Sequence, residues 1–279
     1  MPTKHFPVQR MINVDQPSPA ANTLAIRYPK LVSEVNHRLY RESRNYELSV
    51  TLDASSGEAT TVDVYALADT WYLRGALKLA KMAWDESNKE EIAMNAGKVS
   101  RWNDFRIAPG ITGAADARPV QFNQSTLTPG PMTDGDYEFA QVVDQAGVTR
   151  TFTLGTPGAT EYNIIAQYDA QSGTSTDPEI VSTSPYDGLL PNLETDAAAA
   201  ISDVGNRPPY RRDGYGTAIW VKVATLQITP NRQKLSTGFF QAPLGMVVLT
   251  GVGSLAARDI QVTAKAGDYK GLKSSSMME

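Results

Sequence analysis

Residues 46–69 read YELSVTLDASSGEATTVDVYALAD, and their spacing decides the class of fold. Tyr46, Leu48, Val50 and Leu52 alternate with polar residues, and Val62, Val64 and Ala66 repeat the pattern. Successive side chains of a strand point to opposite faces, so this alternation marks two half-buried strands. The short SSGE turn between them predicts a β-hairpin.

Toward the C-terminus the period changes. Leu73, Leu77, Ala80 and Trp84 fall on one side of a helix spanning residues 70–92, with Asp69 or Thr70 placed to cap it and Gly97 to stop it. A single apolar stripe predicts a helix lying against a sheet. RWNDFRIAPG (101–110) reads as a short strand, and 136–144 with 148–154 as a second hairpin around DQAG. A further strand is expected over 162–168. From 171 to 216 Ser, Thr, Pro, Asp and Gly dominate, which reads as a long exposed loop.

The last third is the most strongly β. TAIWVKVATLQI (217–228), FFQAPLGMVVLTGV (239–252) and RDIQVTAKAG (258–267) are rich in Val, Ile, Phe and Thr and are bounded by Gly or Pro. Toward the N-terminus, Leu31, Val32, Val35 and Leu39 predict an amphipathic helix over 29–43 whose polar face carries Arg38, Arg41 and Arg44. The expected fold is therefore mainly β: an antiparallel jelly-roll or β-sandwich barrel of nine or ten strands with one inserted helix. A double jelly roll, which needs about sixteen strands, is the alternative. The expected boundaries are an arm and short helix over 1–45, the β domain over 46–266 and a polar C-terminal tail over 267–279.

Composition removes much chemistry. The 279 residues hold no cysteine and two histidines, His5 and His37. Disulfides, zinc–thiolate sites and thiol nucleophiles are therefore out of reach. Neither histidine has an acid at triad or metal-pair spacing, and no P-loop, GxSxG or strand-linked GxGxxG occurs. Asp134, Asp136 and Glu138 in TDGDYEF form the densest acidic group. Alternate acids of an extended segment share a face, so Ca²⁺ is conceivable there, although the full calcium-hand loop is missing. A turn entering a strand is the plainer reading. Paired carboxylates such as Asp134 and Asp136 could also run a glycosidase.

Arginine clusters twice, as Arg38, Arg41 and Arg44 and as Arg207, Arg211 and Arg212 in NRPPYRRDGYG. Arg suits phosphate and carboxylate partners, but the net charge of −4 argues against a nucleic-acid groove. Trp71, Trp84, Trp102 and Trp220 are expected in the core or at a subunit interface. No apolar run is long enough for a signal peptide or membrane span, so a soluble, unsecreted product is expected. No enzyme and no cofactor are expected.

The layout resembles the jelly-roll major capsid proteins of small tailless icosahedral viruses, of bacteriophage type. The likeness lies in NHRLYRESRNYELSVTL (36–52), the inserted helix, RWNDFR, QKLSTGFFQAPLGMVVLTGVG (233–253) and IQVTAKAGDYKG (260–271). The resemblance implies a structural protein that self-assembles into homo-oligomeric capsomers and an icosahedral virion shell, in contact with other virion proteins and assembled in the host cytoplasm. Such arms often carry many basic residues to neutralise packaged genome, yet this one holds only Lys4, Arg10 and Arg27. Genome contact would then be weak, delegated, or screened by an internal membrane. A carbohydrate-binding or host-attachment β-sandwich is the alternative function.

Overall fold

The computed structural model describes residues 7–15, 22–53, 60–94, 102–144, 146–171, 219–232, 234–252 and 259–278. In chain order they form β1 (Met11–Asp15), β2 (Thr23–Arg27), α1 (Tyr28–Asn36), β3 (Arg44–Asp53) and β4 (Thr60–Leu67). Then come α2 (Trp71–Met94), β5 (Ala115–Asp116), β6 (Arg118–Asn123), β7 (Thr128–Pro131), β8 (Gln141–Val143), β9 (Thr149–Thr153), β10 (Glu161–Asn163) and α3 (Ile164–Gln171). The chain closes with β11 (Trp220–Ile228), β12 (Lys234–Ser236), β13 (Phe240–Pro243), β14 (Met246–Thr250), β15 (Ile260–Ala264), β16 (Ala266–Gly267), β17 (Gly271–Leu272) and β18 (Ser274–Ser276).

Two mainly antiparallel sheets face each other. One runs β12-β3-β15-β1-β6-β7, with β13 and β18 also on β3; the other runs β11-β4-β14-β2-β5. They form a sandwich and do not join into a closed barrel. The register brings inward side chains level across each sheet. Ile12 lies opposite Val262 and Val262 opposite Val50, while Leu24 lies opposite Leu249 and Leu249 opposite Val64. All are buried in one apolar cluster. Burying each such side chain contributes about 1.5–3 kcal/mol, so a one-residue slip would expose a whole row.

Here the expected hairpin fails. Tyr46, Leu48, Val50, Leu52, Val62 and Val64 are all fully buried, as their alternation requires. However, β3 and β4 lie in different sheets and do not pair. Period two reports which face is buried, and two strands facing each other across a core give the same pattern as two lying side by side. The SSGE turn lies outside the described residues.

The chain ends also depart from expectation. Instead of an arm, residues 11–15 and 23–27 supply two sandwich strands, with Ile12, Val14, Leu24 and Ile26 buried. The tail is anchored too: β18 pairs with β3, and Leu272 and Met277 are fully buried. Its serines match the half-exposed edge they occupy. Helix α1 stops at Asn36, because His37 turns into the left-handed region (φ 49°) and the Arg38 N–H bonds the Ser33 carbonyl at 3.1 Å. Leu39 and the arginines at 38, 41 and 44 therefore share no helical face.

Residues 68–219 are an insertion between β4 and β11, closed at its base by the Ala68 N–H on the Ile219 carbonyl (2.8 Å). Helix α2 packs its Leu73, Leu77 and Ala80 face onto Phe105, Phe152, Leu154 and Ile164, making a second apolar cluster beside the three-stranded sheet β10-β9-β8. This cluster is a helix-and-sheet layer, not a second sandwich. The second expected hairpin is present as β8 and β9. The expected strand over 162–168 becomes mostly α3, because the Asn163 side chain accepts the Ala166 N–H (2.8 Å) and starts a helix. RWNDFRIAPG forms no strand, only a bridge from Ala108 to Thr153. The insertion then returns to the sandwich, where β6 pairs with β1 and β5 with β2. It thus covers the same edge of both sheets.

Candidate functional site

Where the insertion meets the sandwich, the contact is polar. Glu42, in the link leading to β3, is 1% exposed. Its Oε2 accepts the Ile107 N–H at 3.1 Å and its Oε1 the Tyr137 hydroxyl at 3.0 Å, both from the insertion. Its own N–H donates to Asp104 Oδ2 at 3.2 Å, and Asp104 Oδ1 lies 3.4 Å from Arg41 Nη1. Burial pushes the Glu42 carboxyl up to about 7; Arg27 and the two donors oppose the rise, and Asp104 adds to it. Burial also raises Asp104.

Two guanidinium groups flank Tyr137. Arg27 lies 5.2 Å from its ring centroid and pairs with Asp116 at 2.6 Å. Arg106 lies 4.1 Å from the same ring and donates to the carbonyls of Trp102 (2.8 Å) and Glu138 (3.3 Å). Arg106 thereby ties the 102–106 segment to the 136–140 segment with a planar group that holds both at fixed angles.

These two segments form the walls of a cleft of ≈ 800 Å³, with Trp84 and Asn88 of α2 beside them. A smaller cleft of ≈ 330 Å³ opens toward Glu34 and His37 at the end of α1. Trp102, Arg106 and Asp136 border both. Trp102 is 53% exposed.

The residues singled out in the sequence are dispersed. Asp134 is held by Lys30 (3.0 Å) and Arg118 (2.8 Å), while Asp136 and Glu138 line the large cleft. Among the described residues no three His, Asp or Glu side chains come together as a metal site, so the acidic run does not assemble into a Ca²⁺ cage. Arg41 reaches Asp104. Arg44 binds the Ser274 side chain (2.8 Å) and carbonyl (3.0 Å) and stacks 3.9 Å from the Tyr269 ring centroid, fastening the C-terminal segment. Arg38 is half-buried after the turn at His37. Arg207, Arg211 and Arg212 lie outside the described residues, as do His5 and the 172–216 part of the expected loop. Trp84 and Trp220 pack against the second cluster, whereas Trp71 and Trp102 are largely exposed and not core.

Sequence reasoning missed Glu42, Tyr137 and Arg106 as a group. Glu42 reaches the Ile107 N–H across 65 positions of chain and the Tyr137 hydroxyl across 95, and no local period marks the group. The one available signal was an acid, Glu42, standing directly before a strand that buries.

Comparisons with protein-family models, with curated proteins and with solved structures find no match. Among the described residues no helix is long and apolar enough to cross a membrane.

Proposed function

We propose that the sandwich is a single jelly roll and that the chain is the major coat protein of an icosahedral virion, of bacteriophage type, with no catalytic activity of its own. One observation carries the reading. Counting β1, β2, β3, β4, β11, β12, β14 and β15 as strands one to eight, the sheets run 1-8-3-6 and 2-7-4-5. Strands one and two pair with eight and seven, and four pairs with five. This order supports the reading of one long antiparallel ribbon folded over on itself, the two-Greek-key arrangement used by capsid and lectin domains.

Fold alone does not give function, so the surfaces matter as well. Aliphatic and tyrosine side chains fill the space between the sheets, which suits a rigid structural scaffold better than a ligand vessel. Large apolar side chains lie exposed in well-separated parts of the chain, including Trp71, Phe122, Leu127, Val221 and Phe239. A subunit with several neighbours needs apolar contact on several sides, and a closed shell repeats such contacts by symmetry. The engaged arginines also fit weak genome contact: Arg27 is buried on Asp116, and Arg41 and Arg44 are held within the chain.

Sedimentation velocity on the purified full chain tests the reading. One fast, uniform boundary far above the 30.3 kDa subunit is expected. A boundary that stays at the subunit mass at high concentration would overturn it.

A further inference from the structure

The larger cleft has features that the coat-protein reading does not use. Its walls are fixed from behind by Arg106, itself 7% exposed, which bonds the backbone carbonyls of Trp102 on one side and Glu138 on the other. Arg106 is in turn stacked on Tyr137, whose hydroxyl is held by Glu42. A buried network of this kind presets the spacing of a cleft before any ligand arrives, which lowers the ordering cost of binding.

The lining has a definite chemistry. Trp102 offers a broad, half-exposed indole, and Trp84 on α2 is braced by Phe105 with ring centroids 5.6 Å apart. Short amides and acids stand beside these rings: Asn88, Asn103, Asp136 and Glu138. The Asn88 Nδ2 is buried and has no hydrogen-bond partner among the described residues. A flat apolar surface flanked by groups that both donate and accept matches a pyranose ring, which has an apolar face and an equatorial rim of hydroxyls. Adjacent hydroxyls can donate to the two oxygens of one carboxylate.

Charge narrows the ligand. Among the described residues that line the cleft, Asp104 is already paired with Arg41, while Asp136 and Glu138 face one cation, Arg106, whose two terminal nitrogens are turned to backbone carbonyls. A phosphate chain or a sialylated or sulfated glycan would meet net negative charge, so a base stacked on Trp102 could not bring its backbone in favourably. We propose that this cleft binds a neutral oligosaccharide, with Trp102 as the stacking platform and Asp136 and Glu138 as hydroxyl acceptors. The proposal goes beyond the coat-protein reading and does not depend on it, since the cleft lies within one subunit.

The test is titration of the purified full chain, in whatever assembly it adopts, with chitotriose, cellotriose, maltotriose and lactose. Calorimetry and tryptophan fluorescence are the readouts, with 3′-sialyllactose and an oligothymidine strand as counter-ligands. At least one neutral sugar is expected to bind and change the indole emission. Trp102→Ala should weaken that binding by about tenfold or more, and Asp136→Asn by a smaller factor, while Met82→Ala leaves it within about twofold. Met82 serves as control because it is exposed on α2, lies outside the cleft and leaves the tryptophan count unchanged. Failure of every neutral sugar to bind the folded chain would overturn the proposal. So would binding untouched by both Trp102→Ala and Asp136→Asn, or a preference for the sialylated sugar or the oligonucleotide. Sedimentation of the same samples reports assembly separately, so loss of the glycan site and loss of the coat-protein reading are distinguishable.

Discussion

The sandwich and the insertion each bury an apolar cluster, but they are closed by different forces. In the sandwich, aliphatic rows meet level across hydrogen-bonded strands, and the repeating backbone ladder does the aligning. In the insertion, Trp84, Phe105, Phe152 and Tyr162 stack in sequence through mixed edge and tilted contacts. The seam to the sandwich is sealed by Glu42, Tyr137, Arg106 and Asp104, a set of polar groups taken out of water. Apolar burial is indifferent to pH and forgiving of angle. A buried carboxyl is neither, because its charged form must be fully compensated. One chain thus holds a robust scaffold and a seam that responds to protons.

The largest effect that sharpens this contrast is expected in the scaffold. Leu48→Ala removes a fully buried side chain at the centre of β3, the strand that meets β12, β13, β15 and β18. A loss of about 2–5 kcal/mol is expected, read as a shift of the denaturation midpoint without a change of slope. A loss below about 0.5 kcal/mol would mean the rows are not the source of cohesion.

The seam gives the next effect, and its sign is fixed by linkage. The folded Glu42 carboxyl, at about 7, lies above its ordinary value of 4.5, so the folded chain keeps a proton that the unfolded chain has released. Stability from this group is complete below pH 4.5 and is lost as pH rises through about 7, by roughly 3 kcal/mol in all. Asp104, also raised by burial, acts in the same direction. Melting temperature should therefore fall between about pH 5 and about pH 8, and Glu42→Gln should flatten that fall. A wild-type profile that rises over this range would break the contrast.

The smallest effect lies at the start of α2, where the Thr70 hydroxyl accepts the Leu73 N–H at 3.2 Å. Thr70→Ala should cost about 1 kcal/mol, visible as faster amide exchange in the first turns of α2 with β3 and β15 unchanged.

The same contrast explains what was legible in the sequence. Val50 and Val62 announce burial because strand geometry imposes a period of two on any chain with one face inward. Leu73, Leu77 and Ala80 likewise announce α2 and its buried stripe. What period cannot tell is which strand lies beside which, so it reveals neither that β3 and β4 lie in different sheets nor the order of the strands within each sheet. Isolated anchors were also hidden. Met277 and Leu272 sit among serines and lysines with no pattern, yet each buries fully and ties the tail down. At the candidate site the sequence marks Asp136 and Glu138 as acids and Arg41 within a basic cluster, while Trp102 stands out as an indole expected in the core or at a subunit interface. Arg106 carried no signal, because its role depends on two carbonyls and a ring that only the fold brings together.

The most direct test of the central claim is electron microscopy of the purified full chain. Closed shells of one size, with a density matching a two-sheet sandwich in every subunit, are the expected result. Isolated subunits at high concentration, with no particle under any condition of pH or salt, would contradict it.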